Sequence, residues 1–162
     1  MNDRDEGFAA YFASRSGAMR GTAFLLCGDW HRAEDLVQTA FVKLYRAWHR
    51  IAAHQKLDAY TRRILVRTFL DETRRGFHLR EKPTADRIDG AVPDAGGVED
   101  RLLLVSALAD LPARQRATLV LRFWEDMSVE DTAKALRCSV GTVKSQTSRG
   151  LDAMRDLVPT PF

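Results

Sequence analysis

Residues 127–155 read MSVEDTAKALRCSVGTVKSQTSRGLDAMR, and the apolar spacing in this stretch predicts two helices joined by a tight turn. Ser128 precedes the first apolar stripe and is placed to cap that helix, with Asp131 three residues on, as in a capping box. Ser139 follows the turn and is placed to cap the second helix. This pattern is typical of a helix-turn-helix, whose second helix commonly enters the major groove of DNA.

The outer face of that second helix carries polar and basic side chains. At about 100° per residue, these side chains fall opposite the apolar Val143. Arg and Lys can bond to guanine edges, and Ser and Thr can contact bases or phosphates. An ordinary amphipathic helix in a helical hairpin would show the same pattern. The residues expected to face DNA are Lys144, Ser145, Ser148, Arg149, Asp152 and Arg155.

Composition and charge limit the class of protein. The chain has 162 residues, of which 45% are hydrophobic and 29% charged, as expected for a soluble protein with one domain or two small ones. Apolar runs are shorter than the roughly 18 residues that span a bilayer, and the N-terminus is charged, so we expect a cytoplasmic protein without membrane insertion. Cys27 and Cys138 lie far apart without CxxC spacing, so neither a disulfide framework nor a zinc site is expected, and no metal or cofactor.

Helical periodicity dominates the chain and predicts an all-α fold of two small modules. The first module, residues 1–76, contains a helix interrupted or bent at Ser14–Gly17, a helix over His31–Trp48 and a third from about Asp58 to Arg75. Residues 77–98 are acidic and rich in Pro and Gly, which is typical of a flexible linker. The second module, residues 99–158, has four helices, ends in the helix-turn-helix and is expected to bury Leu119, Val120 and Phe123.

The second predicted helix has an outer surface that mixes polar and apolar groups. A merely solvated helix would usually present Lys and Glu there. A partner-binding surface is one interpretation, and an ordinary exposed face is the other. The residues concerned are Asp35, Gln38, Thr39 and Val42.

The third predicted helix carries a basic stripe of Arg63, Arg67 and Arg74, with Asp71 among them. Such a stripe suits a phosphate backbone and would make binding depend strongly on salt, although a solvated charged face has the same pattern. The preceding loop holds His54, Gln55 and Lys56, polar groups able to contact an unstacked base.

Three segments taken together resemble a known family. They are AEDLVQTAFVKLYRAW (33–48), YTRRILVRTFLDETRR (60–75) and LADLPARQRATLVLRFWEDMSVEDTAKALRCSVGTVKSQTSRG (108–150). Their order resembles the extracytoplasmic-function (ECF, group 4) RNA polymerase sigma factors, especially the SigE-like actinobacterial subgroup. The resemblance covers nearly the whole chain apart from the predicted linker.

The resemblance implies a role for each surface in promoter-specific transcription initiation. It places Asp35, Gln38, Thr39 and Val42 on the clamp helices of the largest subunit of core RNA polymerase, and it implies a further contact with upstream elements of the beta subunit. It assigns the minus-10 element to the loop and third helix, and the minus-35 element to the last helix. It also implies promoter DNA and an anti-sigma factor as partners. The minus-10 residues would be His54, Gln55, Lys56, Arg63, Arg67 and Arg74, and the minus-35 residues Lys144, Ser145, Ser148 and Arg149.

The sequence also bears on two other classes of protein. An enzyme has little support, because the sequence lacks HExxH, a glycine-rich phosphate loop and a nucleophile beside a plausible base. A free-standing helix-turn-helix regulator with a helical sensing module is the stronger alternative. Such a regulator needs neither a polymerase-binding face nor a second DNA-reading surface.

Overall fold

The computed structural model describes residues 2–51, 56–76 and 98–158. Within these ranges it contains seven α-helices and no strand, which confirms the all-α prediction and the four helices of the second module. None of these helices is long and apolar enough to cross a membrane. His54, Gln55 and nearly all of the predicted linker lie outside the described residues. The helices are α1 (Asp3–Cys27), α2 (Trp30–Ile51), α3 (Leu57–Arg75), α4 (Val98–Asp110), α5 (Ala113–Leu119), α6 (Val129–Leu136) and α7 (Val140–Leu157).

α1 is one continuous α-helix, so the prediction of an interruption at Ser14–Gly17 is wrong. The side chain of Asn2 caps its start by accepting from the Asp5 amide. Gly28 ends it in the left-handed region at φ 74°, where its amide donates to the Phe24 carbonyl. Arg15, inside the weak stretch, pairs with Asp58 of α3. Tertiary contact therefore outweighs the low helix propensity there.

The first module packs around one face of α2. Every apolar residue of the predicted α2 stripe is buried, which confirms the prediction for this helix. Phe8 of α1 packs edge-on to Tyr45 and Trp48 at centroid distances of 5.0 Å and 5.5 Å. The buried stripe comprises Leu36, Val37, Ala40, Phe41, Leu44 and Trp48.

α5 is followed by a turn that is not α-helical. Residues Val120–Trp124 form a π-helical turn, which accommodates more residues per turn than an α-helix. Leu119 and Val120 are buried as predicted, but Phe123 is 58% exposed. The prediction for Phe123 was wrong because the wider turn shifts the residues after it out of the α-helical phase.

The helix-turn-helix is formed by α6 and α7, as predicted. Ser128 accepts from the Asp131 amide and Ser139 from the Thr142 amide, at 3.0 Å each. Between the helices Arg137 adopts the left-handed conformation, φ 55°, and ends α6. A Cβ on Gly150 would lie 3.0 Å from Leu119 Cδ1, so glycine permits the close packing of α7 on α5.

The two modules pack against each other in the described part of the chain. Arg116 of α5 is central to this contact: it donates to the carbonyls of Leu108, Ala109 and Leu111 and, across the modules, to Leu26 O at 2.6 Å. Its guanidinium also lies 5.7 Å from the ring centroid of Phe69 in α3. Burial lowers the pKa of this guanidinium. One buried apolar cluster consequently includes residues of both modules.

Candidate nucleic-acid and polymerase interfaces

The outer face of α2 brings the predicted partner-binding residues together. Asp35, Gln38, Thr39 and Val42 are all exposed, while the opposite face of the same helix is buried. Val42 is 51% exposed, an unusual position for a branched apolar side chain. The four side chains therefore form one exposed helix face, with an apolar side chain at one end.

An apolar groove adjoins this face, and sequence reasoning missed it. Its volume is about 600 Å³, and Asp5 and Gln38 lie on its polar edge. Tyr45 is fixed there: its hydroxyl donates to Asp5 at 2.6 Å, and its backbone carbonyl accepts from Arg4 at 2.9 Å. The hydrogen bond to Asp5 raises the pKa of Tyr45. The spacing of Phe8 and Phe12, four residues apart on one helix, could have indicated this groove. The apolar lining is Phe8, Phe12, Phe41, Val42 and Tyr45.

A hydrogen-bond network fixes the start of α3 on α1. The Tyr11 hydroxyl donates to Asp58 at 2.7 Å and lies 2.9 Å from the Thr61 hydroxyl. Arg15 binds the same carboxylate through Nε at 3.1 Å. Burial raises the pKa of Tyr11 to about 12, with Thr61 opposing and Asp58 adding to the shift. The network holds the exposed Lys56 and the first turn of α3 in a defined position.

The basic stripe of α3 is not uniformly open to solvent. Arg63 lies beside the Tyr60 ring, 6.0 Å from its centroid, and Arg74 is 77% exposed and 3.7 Å from Asp71. Arg67 instead points to the second module, where it donates to Lys134 O at 2.7 Å and Ala135 O at 2.9 Å. Burial and the nearby Arg137 and Arg63 lower its pKa. The guanidinium of Arg67 therefore contacts α6 instead of lying open to solvent along the predicted stripe.

The side of α7 that the sequence predicts to face DNA is exposed. Lys144, Ser145, Ser148 and Arg149 are exposed, and Val143 on the opposite side is fully buried. The Ser145 hydroxyl donates to Thr142 O at 3.1 Å and retains its acceptor lone pairs. One helix face therefore presents two cations and two hydroxyl groups.

Comparison with known proteins decides the family. Residues 12–76 match the family model for sigma-70 region 2, and residues 101–154 match that for sigma-70 region 4. The chain is 41% identical over 150 residues to the RNA polymerase sigma-E factor of Streptomyces avermitilis, covering 92% of this chain and 83% of that protein. The chain belongs to the ECF sigma factors of the sigma-70 family.

Further relatives agree with the assignment. The sigma factor is 39% identical to the RNA polymerase sigma-E factor of Streptomyces coelicolor, over 92% of this chain and 84% of that protein. Its fold is similar to that of RpoE of Bartonella quintana, in complex with the anti-sigma factor NepR, with a TM-score of 0.74, 26% identity and coverage of 96% and 98% of the two chains. The fold of CnrH in complex with the cytosolic domain of CnrY is also similar, with a TM-score of 0.66, 20% identity and coverage of 93% and 86%.

Membership in this family confirms the function expected from the sequence. A sigma factor directs RNA polymerase to promoters, and its regions 2 and 4 are the parts matched here. The free-standing regulator is not favoured, because region 2 occupies the place of its sensing module. The sigma-factor relatives are not enzymes.

Proposed function

We propose that the outer face of α2 is the part of this sigma factor that binds core RNA polymerase, through Asp35, Gln38, Thr39 and Val42. The supporting observation is the exposure of Val42 at one end of this polar face, where it also lines the apolar groove. An apolar surface bordered by polar side chains is typical of a protein-binding site. The clamp helices of the largest polymerase subunit would occupy it, with the beta subunit contacting the second module.

The two DNA-reading surfaces lie on different modules. Residues 1–76 would recognise the minus-10 element, residues 77–98 would connect the modules, and residues 99–158 would recognise the minus-35 element. The exposed face of α7 carries the donors suited to major-groove edges and phosphates. The minus-10 set is His54, Gln55, Lys56, Arg63, Arg67 and Arg74, and the minus-35 set is Lys144, Ser145, Ser148 and Arg149.

An anti-sigma factor is a further expected partner of this protein. Both similar structures hold a sigma-fold protein with its bound partner, NepR in one and CnrY in the other. The apolar groove on the first module is one surface that such a partner could cover when polymerase is absent. As a polymerase subunit, the protein would act in the cytoplasm.

In vitro transcription tests whether α2 binds core polymerase and α7 recognises promoter DNA. The sigma factor is combined with core RNA polymerase of Streptomyces coelicolor. The template is fragmented genomic DNA from the organism that encodes the sigma factor, and transcript starts are mapped. Gln38→Ala with Thr39→Ala should weaken core binding about tenfold or more, since it removes two polar groups from the face. Arg149→Ala should leave core binding unchanged and reduce initiation, because it removes a DNA contact.

Two results would contradict the assignment. Wild-type protein that neither binds core nor directs initiation would overturn the sigma function of this chain. Equal effects of the two variants on core affinity would overturn the division between α2 and α7. Arg20→Ala is the control for Arg149→Ala, since Arg20 is also an exposed helical arginine, is paired with Glu34 at 3.2 Å and lies outside both proposed DNA-reading sets.

A further inference from the structure

The described contact between the modules uses a residue that promoter recognition also needs. Arg67 belongs to the proposed minus-10 surface, yet its guanidinium caps the last turn of α6, the first helix of the helix-turn-helix. A cation at a helix C-terminus is stabilised by the free carbonyls and the helix dipole. In this position α6 covers the Nε and Nη2 side of the guanidinium, which a phosphate would otherwise approach.

A second contact holds the modules together beside the first. Glu125 directly follows the π-helical turn and is nearly buried, with a side chain 10% exposed. Its carboxylate accepts from the Thr22 hydroxyl of α1 and forms an ion pair with Arg62 of α3 at 2.5 Å. π-helical turns are frequent at functional positions. Here the turn places one carboxylate of the second module between two helices of the first.

The packed chain is too small to contact both promoter elements at once. Elements centred near positions minus-10 and minus-35 are about 25 base pairs, or roughly 85 Å, apart along B-DNA. A compact chain of 162 residues has a radius of gyration of about 15 Å, hence a diameter of roughly 40 Å. Residues 77–97 can reach at most roughly 70 Å when extended, so separated modules can cover the distance.

We propose that the contacts of Arg67 with α6 and of Glu125 with Arg62 and Thr22 form an autoinhibitory latch that keeps the free sigma factor closed. Core polymerase and promoter DNA bind the open form and so release Arg67 for the minus-10 element. The inference rests on the proposed function, because it assumes the minus-10 role of α3. The polymerase-binding face of α2 and the DNA-facing side of α7 remain exposed in the closed form, so first contact with polymerase does not require opening.

Weakening the latch should tighten core binding. Because the complete complex with core forms only from the open chain, the apparent association constant for core is close to that of the open form multiplied by the open fraction. Glu125→Gln removes the charge and keeps the size, which should lower the closed population relative to the open one about tenfold. Binding of Streptomyces coelicolor core polymerase, titrated without DNA, should then tighten by up to about tenfold.

Two further variants make the test specific. Arg62→Glu combined with Glu125→Arg restores the ion pair with reversed charges and should return core affinity toward that of the wild type. Asp156→Asn removes an exposed carboxylate from α7 that belongs to no proposed binding surface, and it should change nothing. Far-ultraviolet circular dichroism checks that each variant retains its helices.

Small-angle X-ray scattering of the free wild-type protein tests closure independently of polymerase. A radius of gyration near 15 Å is expected, and a value above about 20 Å at physiological salt would overturn the latch. Unchanged or weaker core binding by Glu125→Gln would also overturn it, as would a charge-reversed double variant that binds as tightly as Glu125→Gln. Failure of the wild type to bind core would overturn the proposed function instead, and scattering would still report whether the chain is closed.

Discussion

Tyr11 connects two helices by hydrogen bonds, and its hydroxyl has a different pKa in the folded and unfolded chain. Its hydroxyl bonds to Asp58 and contacts Thr61, so the phenol proton is held between α1 and α3. Burial raises its pKa to about 12 from the ordinary 10.0. Between pH 10 and 12 the unfolded chain releases this proton while the folded chain retains it. The free energy of unfolding must therefore fall as pH rises through that window.

Tyr11→Phe removes this titration. We expect the variant to lose less stability than the wild type between pH 10 and 12, by about 1 kcal/mol because partial exposure screens the effect. Urea unfolding at several pH values measures the difference. Burial also raises the pKa of Cys27, to about 11, but both proteins share that titration. Parallel pH profiles for the two proteins would show that the Tyr11 proton is not linked to folding.

Among the helices, features that depend on residues close in sequence could be predicted, and other features could not. The α2 stripe and the caps Ser128 and Ser139 rest on neighbours within a few residues, and the structure confirms them. The π-helical turn and the exposure of Phe123 were not predicted, because no spacing rule marks an extra residue in a turn. The exposed faces of α2 and α7 could be predicted from helical phase alone.

The contacts between modules lay beyond such reasoning. Arg67 bonds to a residue 68 positions away, and Thr22 bonds to Glu125, 103 positions away. Both Arg67 and Arg116 donate to backbone carbonyls, which every residue possesses, so the sequence carries no complementary side chain to indicate the pairing. For this reason the stripe on α3 was predicted as a uniform DNA-facing surface.

The cap of α7 yields a prediction at this scale. Ser139 accepts from the Thr142 amide and lies 2.9 Å from the Thr142 hydroxyl, so Ser139→Ala leaves the first turn of the helix without its side-chain acceptor. A loss of about 1 kcal/mol in unfolding free energy is expected, measured by urea denaturation. The control Ser106→Ala makes the same chemical change at an exposed position inside α4, where alanine favours the helix. Equal stability of Ser139→Ala and the wild type would exclude a stabilising cap.

For the molecule as a whole, the continuous core determines how the chain unfolds. The buried cluster runs from Phe24 and Leu26 of α1 through Phe69 of α3 to Leu108 and Leu119 of the second module. Opening the contact exposes part of this apolar surface to water, at about 25 cal/mol per Å². The modules therefore stabilise each other in the free protein, and polymerase and DNA must offset that free energy when they bind the open form.

Calorimetry can measure this mutual stabilisation. The wild type should unfold in one transition, with equal calorimetric and van't Hoff enthalpies, since neither module keeps its full core without the other. Arg116→Met leaves the Leu26 carbonyl and three carbonyls near the end of α4 without their donor, and should lower the free energy of unfolding by about 3 kcal/mol. Arg155→Met, at an exposed position, should change it by less than about 0.5 kcal/mol. Because Arg116 joins α1 to α5, its loss should also uncouple the modules, so a van't Hoff enthalpy clearly below the calorimetric one is expected for Arg116→Met. Two resolved transitions in the wild type would instead mean that the modules fold independently and that their packing adds little to stability.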